Sequence, residues 1–166
     1  MQLFTLFSYF MDGFAYAGEA LGGRFIGAQN AQGLQRCVRL LFAWGVALAI
    51  GFTLLYAFGG QHFLGLLTND QAVLAVTVDY APWAMAVPLC GFAAFIWDGF
   101  FIGATATGWM FRAMLIASGS FFLLYTILHP YLGNHALWLA FLTYLTLRGV
   151  VQTWAWLNGG IKKPEV

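Results

Sequence analysis

Five stretches of this chain are each apolar over at least the roughly 20 residues needed to cross a hydrocarbon layer about 30 Å thick. They fall at about 3–28, 38–58, 82–106, 113–132 and 135–157. With 61% hydrophobic and only 8% charged residues in 166, the apolar groups cannot all be hidden in a water-soluble core of this size. Gly, Leu, Ala and Phe dominate the stretches, and the alternation of a membrane barrel strand is missing, so helices are expected. The expected fold is all-α: a polytopic transmembrane helix bundle of about five spans, forming a single domain over 1–166.

Between the second and third spans, Gln61 to Asp79 is too polar to be buried throughout, yet Phe63, Leu64, Leu66, Leu67, Val73, Leu74 and Val76 recur at helical spacing. The pattern predicts a linker with amphipathic turns at the interface. Pro82 and Pro88 each remove an amide donor, so the third span is expected to kink near Pro88 rather than run straight.

Basic residues set the orientation. Arg36 and Arg39 follow the first span, Arg112 the third, and Lys162 and Lys163 the fifth, while the other two connections hold no Lys or Arg. That alternation predicts a cytoplasmic C-terminus and an external N-terminus. Met1 opens directly into an apolar run with neither a basic leader nor a small-residue cleavage site, so insertion is expected to rest on the spans. An external start inside a span predicts at least one further helix upstream, and hence a larger protein.

Several function classes lose their footing. The net charge of +1 comes with no basic stripe, which argues against nucleic acid. Cys37 and Cys90 are not spaced for a metal or a disulfide framework, and His129 and His135 flank an outer turn with no third ligand, so no metal site is expected. There is no Gly-x-Ser-x-Gly elbow, His-Glu-x-x-His helix or phosphate-cradling loop. The chain is therefore read as neither an enzyme nor a cofactor protein, and any uphill transport would run on an ion gradient of H+ or Na+.

The residues that carry chemistry are acids placed within the apolar spans. Asp12, Ala15, Glu19 and Gly22 share one helical face, and Asp98 lies mid-span among Phe95, Ile96, Trp97, Phe100 and Phe101. Intramembrane carboxylates either fix packing by accepting hydrogen bonds or bind a cation or proton, and the second role makes Asp98 the strongest single candidate. Counted from the cytoplasmic span ends, Glu19, Asp98 and Arg148 each lie about nine residues in, or about 13 Å. This predicts that Arg148 pairs with Asp98 or Glu19, aided by Gln152 and Tyr144; the competing expectation is that its long stem snorkels to the headgroups.

Gly18 with Gly22, and Gly99 with Gly103, have the four-residue spacing that lets membrane helices touch. Phe-Ile-Gly-Ala recurs at 25–28 and 101–104, and Asp-Gly-Phe at Asp12 and Asp98; chance and an internal repeat both account for this. Trp83, Tyr131, Trp138, Trp154 and Trp156 lie near span ends, where their rings suit the headgroup layer. The 17 Phe suit either a greasy cavity or plain lipid contact.

The segments Phe10-Met-Asp-Gly-Phe-Ala-Tyr-Ala-Gly-Glu-Ala-Leu-Gly-Gly-Arg-Phe-Ile-Gly-Ala28 and Asp98-Gly-Phe-Phe-Ile-Gly-Ala-Thr105 resemble the multidrug and toxic compound extrusion (MATE) family, in its DinF-like branch. The resemblance implies twelve helices in two six-helix lobes, and cation-coupled antiport by alternating access. The five spans would then be most of the C-terminal lobe, with the N-terminal lobe and the preceding helix as missing partners. The family's coupling carboxylate in the proton-coupled branch belongs to the N-terminal lobe, so Asp12, Glu19, Asp98 and Arg148 rest on burial and depth alone. The expected function is export of hydrophobic or cationic compounds across a bacterial inner membrane. The rivals are a flippase for a lipid-linked oligosaccharide and a non-transporting membrane subunit.

Overall fold

The computed structural model describes residues 2–67 and 71–161. Five helices follow one another: α1 (Gln2–Gly27), α2 (Ala31–Leu67), α3 (Gln71–Gly103), α4 (Thr107–Leu132) and α5 (Asn134–Leu157). No strand occurs among the described residues. Each expected span lies inside one helix or ends within three residues of it. Counted over the described residues, Ala31–Gly59, Asp79–Gly103 and Thr107–Leu132 are long and apolar enough to cross a membrane on composition alone. α1 and α5 have the length, at 26 and 24 residues; α1 carries Asp12 and Glu19, and α5 carries Arg148.

The helices run further than expected at their polar ends. α2 already begins at Ala31, because the Asn30 side chain accepts the Gly33 amide at 2.8 Å and caps the first turn. The backbone of the expected interfacial linker belongs to the ends of α2 and α3. The side chains from Phe63 to Val76 and residues 68–70 lie outside the described residues, as do Lys162 and Lys163. α3 is helical throughout and passes through both Pro82 and Pro88. The Thr53 hydroxyl on α2 donates to the Met85 carbonyl at 3.0 Å, next to the Ala84 carbonyl that Pro88 leaves without its helical donor.

α3 is the hub, touching each of the other four helices. Ala15 on α1 meets Gly99, and Glu19 meets Gly103, so α1 and α3 run parallel and in register. A Cβ added at Gly99 or Gly103 would collide with the Ala15 or Glu19 backbone, and one added at Gly23 would sit 3.0 Å from the Gly103 carbonyl oxygen. The glycines are there because two backbones touch. Around this seam Phe7, Met11, Ile96, Phe100 and Phe101 are fully buried. The Tyr56 hydroxyl ties α2 to α1 by donating to the Leu3 carbonyl at 2.6 Å.

The two Phe-Ile-Gly-Ala segments build the same turn. The amides of Gln29 and Asn30 donate to the Ile26 and Phe25 carbonyls at 3.1 and 2.9 Å, and those of Thr105 and Ala106 to Ile102 and Phe101 at 2.9 and 2.9 Å. This is the Schellman arrangement, with Gln29 (φ 54°) and Thr105 (φ 55°) in the left-handed region usually left to glycine. The same offset sets Asp98 opposite Gly22 rather than Asp12, so the turn repeats and the acids do not.

Both turns lie at one end of the bundle, with Arg24, Arg36, Arg39 and Arg112 exposed around them. Of the aromatics expected in the headgroup layer, Tyr131 (82% exposed) and Trp154 (55%) are open to the surroundings. Trp156 is a correction. It is buried against Trp97, with ring centroids 5.1 Å apart, because α5 turns that face toward α3. The histidines have separate neighbours: His135 accepts from Trp83 Nε1 at 3.0 Å, and His129 packs on Tyr125.

Candidate functional site

The acid on α3 and the arginine on α5 meet. Gly149, the residue after Arg148, lets α5 approach α3 closely, since a Cβ there would lie 3.1 Å from the Ala93 Cβ. That approach brings Arg148 and Gln152, one turn apart on the same face, over Asp98. Arg148 Nη2 donates to Asp98 Oδ2, forming an ion pair, and Gln152 Nε2 donates to Oδ1 at 2.7 Å. Both carboxylate oxygens are therefore engaged by α5.

The cluster is largely withdrawn from the surroundings, with the Arg148 and Asp98 side chains 20% and 16% exposed and Gln152 fully buried. Two of its polar atoms, Arg148 Nε and Gln152 Oε1, are buried without a hydrogen-bond partner among the described residues. An unmade hydrogen bond in such a place costs about 1–3 kcal/mol. The cluster thus holds one spare donor and one spare acceptor beside an ionisable pair.

A second polar link runs beside the first. Trp97, next to Asp98, donates through Nε1 to Thr153 Oγ1 at 2.8 Å, and Thr153 Oγ1 donates to the Gly149 carbonyl at 2.7 Å. Sequence reasoning missed this pair. The signal was available, because an indole N–H in the middle of a span must find an acceptor, and Thr153 follows Gln152 on the opposing helix.

The other candidates lie elsewhere. Glu19 does not join Arg148: its backbone packs on Gly103, four residues beyond the Gly99 level that adjoins Asp98, so it sits about one turn, or 6 Å, nearer the basic end. Counting inward from span ends put three residues in one layer; the glycine seam sets the true register and leaves two. Asp12 and Glu19 are half-buried, and neither has a hydrogen bond or ion pair with the other described residues. Tyr144 packs with Val87, Leu142 and Leu145 instead of reaching Arg148.

Comparison with known proteins agrees with this architecture. The chain is 37% identical over 163 residues to DNA damage-inducible protein F of Escherichia coli (strain K12), an alignment covering 96% of the chain and 35% of that relative. It is 27% identical over 157 residues to Protein DETOXIFICATION 42 of Arabidopsis thaliana, covering 93% of the chain and 30% of the relative. The chain thus spans about a third of the length of the curated relatives it matches. No solved structure matches it. The MatE family profile matches residues 1–128, from the first turn of α1 into the last two turns of α4, and with that match the chain belongs to the MatE (multidrug and toxic compound extrusion) family.

Proposed function

We propose that the chain is part of a proton-coupled antiporter of the bacterial inner membrane that exports hydrophobic or cationic compounds, with its C-terminus in the cytoplasm. The observation that carries this reading is the Asp98–Arg148–Gln152 cluster, an acid and a base held together between helices of membrane-spanning length. Membership of the MatE family supports transport, and the name of the Arabidopsis relative supports detoxification as its purpose.

The coupling follows from charge. With Asp98 ionised, the pair is neutral overall and tolerates a cationic compound nearby. A proton on Asp98 leaves Arg148 with an unbalanced positive charge, which repels the cation by about 2 kcal/mol at a separation of ~7 Å and an effective dielectric constant of about 20. Proton and cation therefore compete, and by linkage each promotes release of the other. Sodium is the weaker candidate for the coupling ion, because it would have to displace a guanidinium already seated on the carboxylate. Asp12 and Glu19, free of partners among the described residues, are proposed to meet the substrate or the remaining helices of the longer protein.

The test is efflux of a cationic dye from everted vesicles carrying the intact protein, wild type against Asp98→Asn, at matched membrane levels. Asp98→Asn should lose at least about tenfold of the ΔpH-driven rate, the size of one lost charge-assisted interaction. Unchanged efflux with unchanged pH dependence would remove Asp98 from the coupling mechanism.

A further inference from the structure

We infer that the outer groove between α4 and α5 is a binding site for one anionic phospholipid, with the phosphate on Arg112 and an acyl chain along the groove floor. The groove encloses about 450 Å³ at the basic end of the bundle. Its floor is apolar, formed by Leu115 and Ile116 of α4 and Val150 and Val151 of α5. Leu115, Ile116 and Val150 are each at least half exposed, so this surface is not used by the described helices.

The rim supplies what the floor lacks. The Arg112 guanidinium lies over the Trp109 ring, 4.8 Å from its centroid, and Trp109 meets Trp154 at 5.9 Å. Ring contact partly balances the charge of Arg112 but uses none of its five N–H donors, and among the described residues Arg112 has no hydrogen bond or ion pair. A cation with free forked donors, seated on one of two touching amphipathic rings at the end of a membrane-spanning bundle, matches a phosphate group at headgroup depth. The apolar floor disfavours a free phosphate ion, which would gain nothing there. An amphiphile satisfies both parts at once, and a net negative headgroup satisfies Arg112 better than a zwitterionic one.

Brominated lipids test this in the intact protein, because bromine on the acyl chain quenches a tryptophan it touches. Nanodiscs of phosphatidylcholine would carry a minor fraction of brominated phosphatidylglycerol or of brominated phosphatidylcholine, with Trp154→Phe used to isolate the Trp154 signal. Trp154 should report about five-fold preferential occupancy by phosphatidylglycerol, the effect of one basic side chain at the headgroup layer. Arg112→Gln should abolish the preference, and Val150→Phe, which fills the floor while leaving Arg112 in place, should lower quenching by both lipids. Equal quenching by the two lipids in the wild type, or a preference that survives Arg112→Gln, overturns the proposal. So does a Trp154 that neither lipid quenches, because the groove would then be covered by protein. Should Arg112→Gln fail to fold, Val150→Phe and the wild-type comparison decide the matter.

Discussion

Gly99 of α3 lies against the Ala15 carbonyl of α1 with no room for a side chain between them. The same contact recurs one turn on, where Gly103 meets the backbone of Glu19. At these two points backbone meets backbone, so the fit there depends on backbone shape more than on side-chain volume.

Gly99→Ala should therefore destabilise the bundle by about 1–3 kcal/mol, the usual range for overpacking a closed contact. Gly51→Ala is the control. Nothing lies within 4 Å of a Cβ at that helical position, so it should be neutral or stabilise by up to about 1 kcal/mol. Thermal or chemical unfolding in detergent, followed by circular dichroism, separates the two.

The Asp98–Arg148 pair predicts strong non-additivity. Arg148→Met alone should cost about 3–5 kcal/mol, because it leaves a buried acid without its counter-charge. Adding Asp98→Leu should recover much of that loss, giving a coupling of at least about 2 kcal/mol in a double-mutant cycle. Additive single effects would mean that the two groups do not depend on each other in the folded state.

The paired turns predict gains. Gln29→Gly and Thr105→Gly should each stabilise by about 0.5–1 kcal/mol, since a side chain at positive φ costs about 1–2 kcal/mol and glycine returns part of that as chain entropy. The larger gain should come at Thr105, where the side chain is β-branched. Its hydroxyl bond to the neighbouring Ala104 carbonyl, at 2.7 Å, is local and exposed and offsets little. Unfolding midpoints of the two variants, measured side by side, check the ranking.

The bundle was legible because apolar runs of span length have few alternatives in a lipid environment. Asp98 and Arg148 could be matched because both lie deep and carry opposite charge, and a deep charge needs a partner. Glu19 was misplaced because depth counted along a helix assumes that every helix ends at the same level, whereas the Gly99 and Gly103 contacts decide how α1 slides along α3. Trp156 was misread because position near a span end says nothing about which side of the helix a ring occupies. The Pro88 region shows the same limit, since the hydroxyl that bonds the Met85 carbonyl there comes from Thr53 on another helix. The repeated Phe-Ile-Gly-Ala carried real information, but only the hydrogen bonds reveal that it encodes a turn and not a duplicated acid site.

The backbone contact along Gly99 and Gly103 constrains how this part of the protein can rearrange. Where the two backbones touch at these glycines there are no rotamers to switch, so α1 and α3 should travel as a single strut. Any mechanical play then falls on the side of α3 that meets α5, where the Asp98–Arg148 clasp is one of several ties and, on the coupling proposed above, the one that a proton would loosen.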